Sequence, residues 1–343
     1  MTNSQSNALS KRNLFAALLV FTVCLAAANF IVAFLTRHTR PRQSMAMIAN
    51  SPGASIVLLG NSLLVVGFDP VEFNAQLDVH NPPKDTLNLA MTSTGPIEHL
   101  LFLRYALRHG TAPRILVYGF VDLQLSDPIV LGNRDLIGKR EVLYYLEPQY
   151  ARRFYSMSLR DSLEFQIMRH SPMLVERSAV WGKIELLRRT FSAQGMPAVQ
   201  ENSLGRVADF NLMESSDPVN FALHVATAAN APLNPPVEEI LRESAKSGAS
   251  VVVVEMPMTS IHRRKFYDTD AWLRYRAHVQ SVLAGHHALY INASDWVADD
   301  SLFRDHIHLN SGGAAIFSRK LAGVLRQQFS DSLTQPSAGA KLP

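Results

Sequence analysis

Ser62 follows Gly60 and Asn61 at the end of the apolar run Ser55–Gly60, and Asp305 stands three residues before His308 near the other end of the chain. A serine hydroxyl becomes a nucleophile when a base lies within hydrogen-bond reach, and an imidazole base needs a carboxylate to orient it. An Asp-x-x-His loop supplies base and carboxylate together. A serine leaving a strand supplies the alcohol. The chemistry of such a set is acyl transfer, with chain order Ser, Asp, His. Asn310 or Ser311 suits the cap of the helix that follows, so His308 falls on a tight turn ahead of it. His306 and His308 alternate and, with Asp305, fit a metal on steric grounds. No further ligand set accompanies them, so the reading assigns no metal and no cofactor.

These residues need a scaffold. Strand-like runs recur at Ser55–Gly60, Thr86–Ala90, Arg114–Phe120, Ser250–Met256 and Ala288–Ala293. Such continuous apolar runs suit strands covered on both faces, as in a parallel sheet. Helical patterns fall between them at Ile97–His109, Pro236–Lys246 and Asp270–Leu283, with a last one at Gly312–Gln328. The alternation predicts an α/β fold, a flavodoxin-like doubly wound parallel sheet of about five strands. Sites in such sheets open at the carboxyl ends of the strands. Gly60-Asn61-Ser62 lies at that end of the first.

The chain has 343 residues and a formal net charge of +4, which points to no nucleic-acid partner. Cys24 is its single cysteine, so no intramolecular disulfide forms. Asn13–Leu35 carries no charge over 23 residues, long enough to cross a membrane. A secretory signal would have a shorter apolar region. Basic residues flank the run on both sides, so charge does not set its orientation. The expected layout is a stub and membrane anchor over 1–36, a tether over 37–51, the α/β domain over 52–329 with an insertion at 126–231, and a disordered tail over 330–343. Arg134–Arg189 holds 11 Lys/Arg against 7 Asp/Glu. Such a basic cover favours an anionic substrate or a membrane surface, or is an ordinary solvated helical face.

Taken together, these segments resemble the SGNH (GDSL-type) hydrolase superfamily over about Ser55–Asp127 and Ser250–Leu325. Gly60-Asn61-Ser62 corresponds to the family's Gly-Asp-Ser block, with Asn61 in place of the aspartate. Asn88–Pro96, "NLAMTSTGP", resembles the second block. Gly119-Phe120-Val121-Asp122 corresponds to the third, Gly-x-Asn-Asp, with Val121 in place of the asparagine. Asp305 and His308 match the last.

The resemblance implies Ser62 as nucleophile, His308 as base and Asp305 as the orienting carboxylate. It implies oxyanion donors from the Ser62 backbone N–H and from Ser93, Thr94 or Gly95. Val121 removes one side-chain donor, for which Asn61, Ser93 and Thr94 are the replacements. "GNSLLVVGFDP", Gly60–Pro70, resembles the first block of membrane-anchored relatives in polysaccharide O-acetylation, as of alginate, or teichoic acid D-alanylation. The expectation is a single-pass membrane protein with a periplasmic catalytic domain. It would be a serine acyltransferase or esterase for O-acyl groups of envelope polysaccharide, served by a membrane-bound acyl-donor partner protein. The alternative is a non-catalytic anchored subunit of a polysaccharide biosynthesis or export complex, which Val121 favours. Arg263 and Arg264, in "HRRKFY" after the fourth strand, are placed as substrate-binding residues or as an exposed basic turn. Glu255 ends that strand as a pocket carboxylate or a capped loop residue. Trp181, Trp272 and Trp296 are read as packing residues.

Overall fold

Five apolar runs pair side by side in the computed structural model of the chain, which describes residues 3–77, 86–92, 94–126, 153–154, 158–191 and 218–330. They are β1 (Ile56–Leu59), β2 (Thr86–Asn88), β3 (Ile115–Phe120), β4 (Ser250–Glu255) and β5 (Leu289–Asn292). All neighbours are parallel, in the order β2-β1-β3-β4-β5. β1 and β3 are buried at every residue, which is why they read as unbroken apolar runs. The order reverses between β1 and β3, and there a doubly wound sheet opens a crevice beyond its carboxyl edge.

The chain divides into two compact units, Ser44–Val130 with Pro197–Pro343, and Met1–Gln43 with Leu131–Met196. The first holds the sheet. Its helices include α3 (Ser62–Gly67) and α4 (Pro70–Leu77) after β1, and α5 (Pro96–Arg108) before β3. α9 (Pro218–Ala228) and α10 (Pro235–Lys246) precede β4, α11 (Asp270–Gly285) follows it, and α12 (Ser311–Gln328) ends the described chain's regular structure. α12 packs on α3 and α4, α10 on α5, and α9 on α11. α5 and α10 start with proline at the first helical turn, one residue ahead of the starts expected at Ile97 and Pro236. α3 and α4 were not expected, since a short apolar run such as "SLLVVGF" has no helical period to read.

The second unit contains α1 (Asn3–Leu35), whose Asn13–Leu35 portion is long and apolar enough to span a membrane. It also contains α6 (Leu159–Arg169), α7 (Pro172–Val175) and α8 (Arg177–Phe191), helices of the segment read as an insertion. The segment read as a tether carries a further helix, α2 (Arg40–Asn50). Residues 127–152 and 192–217 of the insertion, and tail residues 331–343, lie outside the described residues.

Candidate active site

At the carboxyl end of β1 the chain turns within two residues into α3. Gly60 suits this close approach: a Cβ there would stand 3.1 Å from both the Gly119 carbonyl oxygen and Leu64 Cβ, so its neighbours would have to give by a few tenths of an ångström. Asn61 caps α3, its Oδ1 accepting from the Leu63 N–H at 3.0 Å. Ser62 is the first residue of α3, so its own N–H belongs to the group with no intrahelical acceptor.

The base arrives on the loop before α12. Phe303 and Leu309 form an antiparallel bridge, and the Arg304 N–H donates to the His308 carbonyl at 2.7 Å. Asn310 caps α12 through the Gly313 N–H at 3.1 Å and donates to the Ser301 carbonyl at 2.9 Å. A Cβ on Gly313 would lie 2.5 Å from the Leu302 carbonyl, so this close packing of loop on helix demands glycine. From across the sheet edge, the Thr259 N–H and hydroxyl both donate to the His306 carbonyl, at 3.1 and 3.0 Å.

This framework brings Ser62, His308 and Asp305 into one hydrogen-bonded chain. His308 Nε2 lies 2.9 Å from Ser62 Oγ, and His308 Nδ1 lies 2.8 Å from Asp305 Oδ2. Asp305 Oδ1 accepts from the N–H groups of Ile307 and His308 at 2.9 and 2.8 Å. The His308 and Asp305 side chains are 25% and 26% exposed, so the group meets solvent on one side. Burial works against the charged form of Asp305. Hydrogen bonds from the His308 ring and the two backbone N–H groups, with the ring's positive charge, outweigh it and hold the carboxyl below its ordinary range. Asp305 is thus an acceptor from which Nδ1–H takes its direction, leaving Nε2 to face the serine.

The donor side is organised differently. The Thr94 hydroxyl donates to the Met91 carbonyl at 2.6 Å and meets His99 Nε2 at 3.0 Å. With its one proton spent, Thr94 Oγ1 accepts from Nε2–H, and His99 Nδ1 accepts from Tyr118 Oη at 3.0 Å. The Gly95 N–H donates to Glu98 Oε2 at 2.7 Å, closing the start of α5. Of the expected oxyanion donors, the Thr94 hydroxyl and the Gly95 N–H are therefore spent on their own neighbours. Ser93 lies outside the described residues.

Asn61 Nδ2 donates to Gln124 Oε1 at 3.3 Å, and the Val121 N–H donates to the same oxygen at 3.3 Å. Gln124 thus bridges Asn61 and the backbone of Val121. Its Nε2 is buried with no hydrogen-bond partner among the described residues. Sequence reasoning missed Gln124, although it lies one turn beyond Val121. Asp122 adopts φ 48°, and its N–H and carboxylate both bond Tyr267 Oη, at 3.0 and 2.8 Å.

The remaining candidates fall outside this chain of bonds. Arg264 is exposed and donates to Ser260 Oγ at 3.1 Å. Arg263 opens a π-helical turn, Arg263–Tyr267, with its Nε buried and unbonded among the described residues. Among the described residues, neither is hydrogen-bonded to Ser62 or His308. Glu255 is fully buried and receives Arg276 at 2.7 and 2.9 Å, Trp272 Nε1 at 3.3 Å and Tyr290 Oη. Four donors on one carboxylate make it a brace between β4, β5 and α11. Trp272 is fully buried and stacks on Tyr267 at 4.0 Å, whereas Trp181 is exposed.

No family model and no curated protein matches the sequence. Among solved structures, the chain is similar to a proposed acylhydrolase from Bacteroides fragilis, at 8% identity and TM-score 0.37, over 85% of this chain and 96% of that one. It is similar to a GDSL-like lipase from Bacteroides thetaiotaomicron, at 8% identity and TM-score 0.35, over 85% and 98%. A proposed arylesterase from Agrobacterium tumefaciens follows at 12% identity and TM-score 0.33, over 80% and 99%. Scores this low leave the sheet order and the Ser62–His308–Asp305 geometry as the grounds for a reading of activity.

Proposed function

We propose that the chain is a membrane-anchored serine esterase or O-acyltransferase that works on O-acyl groups of envelope polysaccharide. The observation that carries this reading is the bonded series Ser62 Oγ, His308 Nε2, His308 Nδ1, Asp305 Oδ2, with contacts of 2.9 and 2.8 Å. Ser62 Oγ attacks the ester carbonyl carbon while His308 Nε2 takes the hydroxyl proton. The carbonyl π bond opens to an oxyanion. Its collapse expels the alcohol, which receives the proton from His308, and leaves an acyl-serine. A second alcohol or water then gives its proton to His308 and attacks the acyl carbon; collapse breaks the bond to Ser62 Oγ, which takes that proton back from His308. Asp305 stays ionised throughout and orients the ring.

The Ser62 N–H and the second amide hydrogen of Asn61 are the donors this reading assigns to the oxyanion. Gln124 is a positioning residue that fixes Asn61 in place of the missing third-block asparagine. A sugar hydroxyl as second acceptor makes the chain a transferase, as the resemblance of Gly60–Pro70 to anchored polymer-modifying proteins favours. A membrane-bound partner would deliver the acyl donor on the extracytoplasmic side.

The test is hydrolysis of 4-nitrophenyl acetate by the full chain in detergent or vesicles. Ser62→Ala is expected to lower kcat by at least about 10³-fold with folding unchanged. Equal turnover in the variant removes the assignment and leaves the non-catalytic anchored subunit, which Val121 favours.

A further inference from the structure

We propose that Leu159–Phe191 is a second membrane contact, a helical segment seated in the lipid interface beside the end of α1. This rests on the reading of Asn13–Leu35 as a membrane span. Asn29 lies six residues before Leu35, about 9 Å along the helix axis. Its Oδ1 accepts from Ser171 Oγ at 2.9 Å and from the Met173 N–H at 3.1 Å, while its Nδ2 donates to the Leu25 carbonyl at 3.2 Å. Ser171 makes no side-chain cap of its own, so the Asn29 amide caps α7. An amide oxygen inside lipid must find a donor, and α7 supplies two. If α1 crosses the bilayer, the start of α7 shares its depth near the acyl boundary.

The segment is latched again where the span ends. Lys183 Nζ donates to the Leu35 carbonyl. Glu176 accepts from Thr39 Oγ1 at 3.2 Å and forms an ion pair with the Arg42 guanidinium, Nε 3.3 Å away. Arg42 also donates to the Ala33 carbonyl at 3.0 Å.

The same segment leaves an apolar stripe uncovered. Leu159, Leu163 and Ile167 follow one another at four-residue spacing on α6 and are 88%, 63% and 54% exposed. Phe165 and Met168, on the other side of α6, are buried. On α8, Trp181 and Ile184 are 68% and 46% exposed. Ile167 stands four residues from the Ser171 that Asn29 holds, so the stripe begins at lipid depth. A half-buried amphipathic helix with an outward apolar face, an interfacial Trp and a Lys reaching to a helix end is the pattern of an interfacial segment. The occupant of the stripe is therefore the acyl boundary of the bilayer itself.

Nitroxide depth measurements test this on the full chain in phosphatidylcholine–phosphatidylglycerol vesicles. A label on the native Cys24 reports the span. Labels on L163C and W181C, each in a C24S background, report the segment at two exposed positions. The expected result is a ratio of collisions with oxygen to collisions with a water-soluble nickel chelate several-fold above that of the free label in buffer, at both positions. Buffer-like ratios at both positions, with Cys24 at bilayer depth, overturn the proposal and leave the span intact. A buffer-like ratio at Cys24 overturns the span, and the interfacial segment with it.

Discussion

The Asp305–His308 loop and the donor side of the same site are built to different standards. In the loop, a bridge, a helix cap and bonds from Thr259 fix the backbone, and every proton between Asp305 and Ser62 has a short partner. On the donor side, Thr94 and Gly95 turn inward to His99, Met91 and Glu98, and Val121 has nothing to donate. Asn61, held by Gln124, stands next to the nucleophile in sequence with a side-chain amide. The acid–base half keeps the Asp-x-x-His pattern read from the sequence, whereas the donor half relies on Asn61 and its neighbour Gln124. Orienting a base requires specific groups at fixed spacing, while an oxyanion can be met by backbone or side-chain donors of several kinds, provided they reach its position.

The comparison breaks most easily at Asp305. Asp305→Asn leaves the loop's shape but offers Nδ1 the wrong partner, and turnover is expected to fall about 10⁴-fold in the hydrolysis assay. The same variant has a signature in stability. The folded carboxyl sits below its ordinary value of 3.8, so its contribution is present above that value and is lost as pH falls through the lower folded one. Denaturation followed by circular dichroism is expected to show a shallower acid slope for Asp305→Asn than for wild type. An unchanged slope would mean that the hydrogen bonds to Asp305 add nothing to its charged form.

Asn61→Asp separates capping from donation. The carboxylate still caps α3 but has no amide hydrogen, so turnover is expected to drop about 10²-fold, near the cost of one oxyanion donor. Adding Val121→Asn to Asn61→Asp places a new side-chain amide at position 121 and is expected to recover part of that loss. No recovery would count against position 121 facing the oxyanion. Gln124→Leu is expected to show the smallest effect, about tenfold on kcat with KM unchanged. Combined with Asn61→Asp it should cost little more, because the two side chains act through one bond. Additive losses would mean that Gln124 acts independently of Asn61.

Much of this scaffold was legible because burial on both faces writes β1, β3 and β4 as continuous apolar runs. Proline near the start of α10 marked its boundary, and the leucines on one face of α5 marked that helix. Ser62 could be placed at a strand end, and Asp305 with His308 could be paired, because short spacing does their positioning. α3 and α4 escaped because six to eight residues of mixed apolar character carry no distinct period. The engagement of Gly95 had a readable signal, a helix-starting proline followed by Glu98, of the kind seen in capping boxes. Gln124 had none: its role arises from the turn after β3, which brings its amide to Asn61 across 63 positions of chain.

Whether Ser62 is an activated alcohol decides between an enzyme and a scaffold. A fluorophosphonate probe reacts with a serine only when a base withdraws its proton, and intact-mass analysis reads the product directly. The wild-type chain is expected to take up one equivalent on the Ser62 peptide, Asp305→Asn to label far more slowly, and Ser62→Ala not at all. Wild type that stays unlabelled, or labels equally well without Ser62, would contradict the proposed catalytic role.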